Sequence, residues 1–261
     1  MKTLTFFFIA LLSGAIGGAF LGVINQFVVE PFIDRAVNIE TQRDIAAGQT
    51  IDPAQLLHYR TWQKSEEVVA SIILGTSLGA LLGIVFVYSR GSLPGSNNIK
   101  KAVFLAGAMW FVLFFMTALK YPPNPPAVGE PDTLYYRQTL YIAFISISGF
   151  SALGLGFIYR RLGIIISTGS SDSINILSTL AKNRKIAIPA AYAAIMICTY
   201  IGLPSNPDPI TAPIDLVISF RIASVFTMAV YWGTMSIIFG ALWDKLKPHQ
   251  EEESTRTLKV S

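Results

Sequence analysis

Six stretches of the chain are apolar and free of charge at their centres, at about 5–29, 68–88, 102–119, 139–159, 186–203 and 216–243. Each is close to or above the roughly 18 residues that a helix needs to cross the hydrocarbon core of a bilayer. Consecutive spans pair into three helical hairpins, about 5–88, 102–160 and 186–243, within one six-helix transmembrane domain over 1–247. The expected fold is therefore an all-α integral membrane protein in contact with the lipid bilayer. The first span has features of a secretory signal, with Lys2 ahead of a phenylalanine-rich core and small residues at Ser13, Gly14 and Ala15. Its apolar character runs on to Val29, longer than a signal core, so an uncleaved span is expected. The segment 248–261 has no apolar face, and a disordered polar tail is expected there.

Polar positions repeat with the spans. Each even-numbered span is entered through an aromatic-arginine pair, Tyr59-Arg60, Tyr136-Arg137 and Phe220-Arg221, and the arginines are 77 and 84 residues apart. Interfacial aromatics and arginines are common at membrane edges and account for any one pair. Three at equivalent places point to a threefold repeat of helix, loop and helix, an arrangement that transporters use to build a site at the repeat interface.

Proline and glycine add detail. Pro122, Pro123, Pro125 and Pro126 surround Asn124 between spans three and four. Four prolines remove four backbone donors and fix φ, so the segment is expected to be stiff and extended. A weaker echo, Pro204, Asn206, Pro207 and Pro209, follows span five. Gly14, Gly18 and Gly22 recur every four residues in span one, and Gly75, Gly79 and Gly83 do so in span two. Such stripes let two helices approach closely in lipid, so spans one and two are expected to pack along them.

Composition agrees with the pattern: 52% of residues are hydrophobic and 14% charged, against about a quarter charged in soluble domains. Basic residues orient the chain. With the N-terminus inside, thirteen of the twenty Lys and Arg residues and five of the sixteen acids fall on the cytoplasmic side. Both termini are thus expected in the cytoplasm of a multi-pass protein of the cell membrane, with both proline loops outside. The single Cys198 and the two histidines, His58 and His249, exclude disulfide frameworks, cysteine metal sites and an intramembrane bis-histidine haem.

Little chemistry is on offer. No nucleotide-binding loop, metalloprotease motif or serine elbow is present, so the chain is not expected to be an enzyme and no catalytic cofactor or nucleic-acid partner is expected. The Gly/Ser segment 167–173, followed by Lys182, Arg184 and Lys185, is better explained by the positive-inside bias than by phosphate binding. The outer side does carry oxygen and nitrogen groups suited to a metal: Glu30, His58, Glu66, Glu67, Glu130, Asp132, Asp208 and Asp215. None of their spacings is diagnostic. Softer donors, the pairs Met109/Met116 and Met228/Met235, are more simply core residues.

The proline segment Lys120–Gly129, with Glu130, Pro131, Asp132, Thr133 and the Tyr136-Arg137 pair, resembles an outer-loop signature of the CbtA family of proposed cobalt transporter subunits. The resemblance extends to Glu30-Pro31, to Tyr59 through Glu67 and to Phe220 through Ser224, and so covers most of the chain. It implies the membrane component of an uptake system for a divalent transition metal, with Co2+ as the transported ion. It also implies a small single-span, histidine-rich partner protein. On that reading Glu30, His58, Glu67 and Asn124 would form the metal site at the outer mouth. Arg60, Arg137 and Arg221, with Pro125 and Pro126, would hold the outer loops in register by pairing with the acids. The competing expectation is a non-transporting subunit that scaffolds a larger membrane complex. A small organic ligand, suggested only by Trp62, Tyr135 and Tyr136, is a third.

Overall fold

A computed structural model describes residues 3–126, 128–167, 179 and 182–248. The tail beyond 248 and most of the Gly/Ser segment, 168–173, lie outside the described residues. Every regular element among those described is helical: α1 (Thr3–Val28), α2 (Glu30–Ala46), α3 (Pro53–Ser89), α4 (Asn98–Trp110), a π-helical stretch (Phe111–Phe115), α5 (Met116–Lys120), a 3-10 turn (Pro131–Thr133), α6 (Leu134–Ser167), α7 (Arg184–Gly202) and α8 (Ile214–Leu246). Six of the helical segments are long and apolar enough to cross a membrane, and they coincide with the six apolar stretches of the sequence to within a residue at the ends of the first and fifth.

Helix outruns apolarity at one place in particular. α3 has 37 residues, about 55 Å of helix against a hydrocarbon core of roughly 30 Å. Its first fifteen or so residues therefore project beyond the core. They begin on an N-cap, where the Asp52 side chain accepts from Ala54 N at 2.9 Å ahead of Pro53 at the first helical position. α2 lengthens α1 in the same way after a break at Val29, caused by Pro31, which cannot donate to the turn before it. The segment between the first two spans is thus a pair of helices joined by a turn with Gly48 at φ +87°.

The chain divides into two compact units. The first comprises Met1–Trp110, Pro123–Val128 and Ile210–Ser261. At its centre the glycine stripes of α1 and α3 interlock, so a Cβ on Gly14 would collide with Gly75 O, and one on Gly75 with Gly14 O. α8 lies against α1 and α4. Its buried Tyr231 donates to Gly75 O at 3.3 Å, and Met235 and Phe239 are fully buried below it. Phe86 meets both Phe239 and Trp243 edge to face, 5.1 Å from each centroid, and the Arg90 guanidinium lies 5.7 Å from the Trp243 ring.

The second unit comprises Phe111–Pro122 and Gly129–Pro209, with α6 packed on α7 and on the π-helical stretch. Ser148 donates to Val112 O at 2.6 Å and lies 2.7 Å from the Tyr192 hydroxyl, which ties the π-helical carbonyl into a buried polar junction. α7 and α8, the arms of the expected third hairpin, are assigned to different units.

Candidate functional site

The projecting parts of α2 and α3 bound a cleft of about 650 Å³ in the first unit. Residues at helical spacing line it from both sides, Glu30, Ile33, Val37, Glu40 and Asp44 from α2, and Leu56, Tyr59, Gln63, Glu66 and Ala70 from α3. The two backbones make little close contact over this length, and charged side chains bridge them. Pro126, from the proline segment, closes one side. The segment 122–126 has no regular structure, as four prolines dictate, and Pro125 is buried.

The bridge is an ion-pair network. Arg60 Nη2 donates to Glu30 Oε2 at 2.6 Å and to Asp34 Oδ1 at 2.9 Å, and Nη1 donates to Gln63 Oε1 at 2.7 Å. Lys64 Nζ donates to Asp34 Oδ2 at 2.7 Å. The Glu30 and Arg60 side chains are only 6% and 12% exposed, whereas Asp34 is 48% exposed. Partial burial would raise the Asp34 carboxyl, but the hydrogen bonds and charges of Lys64 and Arg60 outweigh it and hold the group below its ordinary value. A depressed folded-state pKa contributes stability that is present above the unfolded value of about 3.9 and lost as pH falls through the folded one. Because Asp34 is half exposed, we expect Asp34→Asn to cost less than about 1 kcal/mol near neutrality. That cost should vanish on acidification through the carboxylate range, read as converging unfolding temperatures of variant and wild type.

Five carboxylates line the cleft, Glu30, Glu40, Asp44, Glu66 and Glu67, against one guanidinium, that of Arg60. Glu67 Oε2 accepts from Gln26 Nε2 at 2.8 Å. Of the four residues expected to form the metal site, Glu30 and Glu67 line this cleft together, and Glu66, Arg60, Trp62 and Pro126, also singled out in the sequence, line it with them. His58 is exposed on α3 and is not among the lining residues. Asn124 is elsewhere in the same unit, where its Oδ1 accepts from Arg221 Nη2 at 2.7 Å and Nε at 3.2 Å. No group of three His, Cys, Asp or Glu side chains among the described residues is placed to hold a metal ion.

The three arginines follow one rule that the sequence only partly discloses. Each sits early in an even-numbered span and binds an oxygen supplied just after an odd-numbered one: Arg60 takes Glu30, Arg221 takes Asn124, and Arg137 takes Asp208, at 3.0 Å. Arg221 thus meets an amide oxygen where an acid was expected. In the second unit Asp208, its side chain 3% exposed, also accepts from Glu130 N at 3.1 Å and Thr133 Oγ1 at 2.6 Å. Gly129, at φ +100°, leaves room for the Arg137 guanidinium where a Cβ would collide with it. Glu40, Asp44 and Asp34 were missed as site residues. For Glu40 and Asp44 the signal was present, since Glu30, Ile33, Val37, Glu40 and Asp44 recur at spacings of three and four, and Asp34 lies one turn beyond Glu30.

No curated protein and no solved structure matches the chain. A family model described as "Probable cobalt transporter subunit (CbtA)" matches residues 3–244, which include both compact units' spans, the cleft and all three arginine latches. The chain therefore belongs to the CbtA family.

Proposed function

We propose that this protein is the membrane component of an uptake system for divalent transition-metal ions, with Co2+ as cargo, and that ions approach through the cleft between α2 and α3. The family match across 3–244 is the observation that carries this reading. The cleft's charge supports it: Arg60 is engaged by Glu30 and Asp34, so Glu40, Asp44, Glu66 and Glu67 leave a negative field that raises the local concentration of cations. On the orientation set by the basic residues, the cleft faces outward. Carboxylate oxygens at this density suit a partly hydrated, briefly held ion. Glu67 is the acid we assign to ion capture at the membrane end of the cleft, with Glu30 beside it and His58 outside the lining. Asn124 steadies the proline segment through Arg221, and a partner protein completes the system.

Uptake of radiolabelled cobalt into proteoliposomes, with the chain alone and with its co-encoded membrane neighbours, tests the proposal. Saturable uptake is expected, with an initial rate about tenfold lower in Glu67→Ala. Unchanged uptake in that variant would remove Glu67 from the path. Absence of uptake in both settings, with folded protein, would favour the scaffold reading instead.

A further inference from the structure

The cleft is larger and less polar than a bare metal ion requires. Its volume, about 650 Å³, lies within the range of sites that enclose small organic molecules. Between the acids its walls are Ile33, Val37, Leu56, Trp62, Ala70 and Pro126. Tyr59 and Trp62 stack with ring centroids 5.8 Å apart and an interplanar angle of 29°. Both rings line the cleft and both remain about half exposed. Two helices joined by a short turn would ordinarily close aliphatic side chains such as Ile33, Val37 and Leu56 against each other. Here those side chains line an open cleft together with the acids.

We propose that this cleft binds a bulky cation with an apolar exterior, in which the positive charge sits within an organic shell. The Tyr59/Trp62 platform and the aliphatic wall take the shell, and the carboxylates of Glu40, Asp44, Glu66 and Glu67 take the charge. An aromatic face attracts a cation most when water is displaced, which a hydrated ion does not do and an apolar shell does. Two sources share this chemistry, a metal ion wrapped in an organic chelator and a metal-free organic cation. The proposal goes beyond the uptake reading: it is scored by binding without transport, so either can fail while the other stands.

Equilibrium dialysis of the purified full chain in a neutral detergent, against micelles alone, tests it with four probes. Tris(bipyridine)cobalt(II) and tetraphenylphosphonium are the bulky cations, and hexaamminecobalt(III) and cobalt chloride are the polar ones. At least one bulky cation should bind saturably. Its binding should be about tenfold weaker in Trp62→Ala, weaker in Glu40→Gln/Glu66→Gln, and restored in Trp62→Phe. These side chains are exposed, so the variants should fold. Binding of the cobalt complex alone would identify metal chelates as the source, whereas binding of tetraphenylphosphonium would show that no metal is needed. The proposal is overturned if neither bulky cation binds above micelles, if Trp62→Ala binds them as wild type does, or if hexaamminecobalt binds as tightly.

Discussion

Gly14→Leu and Gly75→Leu are each expected to destabilise the protein by about 3 kcal/mol or more, read as a lowered unfolding temperature and a loss of folded yield in detergent. Apolar side chains gain nothing by meeting in lipid, so the association of α1 with α3 depends on close backbone contact. A Cβ on either glycine would occupy the space of the other's carbonyl oxygen. Backbone, unlike a side-chain tip, cannot swing aside. Sliding is blocked as well, because a Cβ on Gly79 would lie 2.5 Å from Ala10 O and one on Gly22 would lie 2.8 Å from Val68 Cα. Tyr231 loses its acceptor if α3 moves away. Gly107 is the control: nothing lies within 4 Å of a Cβ there, and Gly107→Ala should be neutral or slightly stabilising by helix propensity. Wild-type stability in both leucine variants would mean that α1 and α3 do not cross at these residues.

The second large effect is expected at the latch between α2 and α3. Removing one partner of a buried ion pair leaves the other charge uncompensated, which costs about 3–5 kcal/mol, whereas removing both costs much less. Glu30 and Arg60 come close to that condition, at 2.6 Å with both side chains nearly buried, but Arg60 would keep Asp34 at 2.9 Å and Glu30 would keep Lys64 at 3.7 Å. Glu30→Gln and Arg60→Met should therefore each destabilise by about 2–3 kcal/mol, below that range, and the double variant should be less impaired than their sum. Chemical unfolding of the four proteins gives the coupling directly. Additive losses would show that the two groups do not interact. Because the latch also holds α2 beside α3, either single variant should also loosen the cleft between them.

Apolar length located the six spans because lipid enforces it: without water, a backbone must satisfy itself within a helix over the whole core. The same criterion stops at the headgroups, which is why α2 and the first turns of α3 read as loop although they are helical. Their mixed stripe of acids and aliphatics is weak in hydropathy and clear only in its period. The glycine seam was legible because spacing four fixes a helix face whatever the partner. Which oxygen each arginine takes was not legible. Arg60 to Glu30 is a contact within one hairpin, but Arg221 to Asn124 and Arg137 to Asp208 join segments 97 and 71 residues apart, and nothing local in the sequence ties those ends together. The π-helical turn at Phe111–Phe115 is an all-apolar segment whose deviation depends on its hydrogen-bonding neighbours, above all Ser148.

α3 runs unbroken from the aromatic platform at Tyr59 to its last turn at Ser89, and it is gripped most tightly near Gly75. A rod clamped near its middle behaves as a lever. Tyr59 stands about 24 Å from Gly75 along the axis and Ser89 about 21 Å on the other side, so a tilt of about 5° would carry each end about 2 Å in opposite directions. A tilt that narrowed the cleft would then displace the Phe86 and Arg90 end by a similar distance. The seam that binds the two helices would thereby serve as the fulcrum about which the two ends of α3 move in opposite directions.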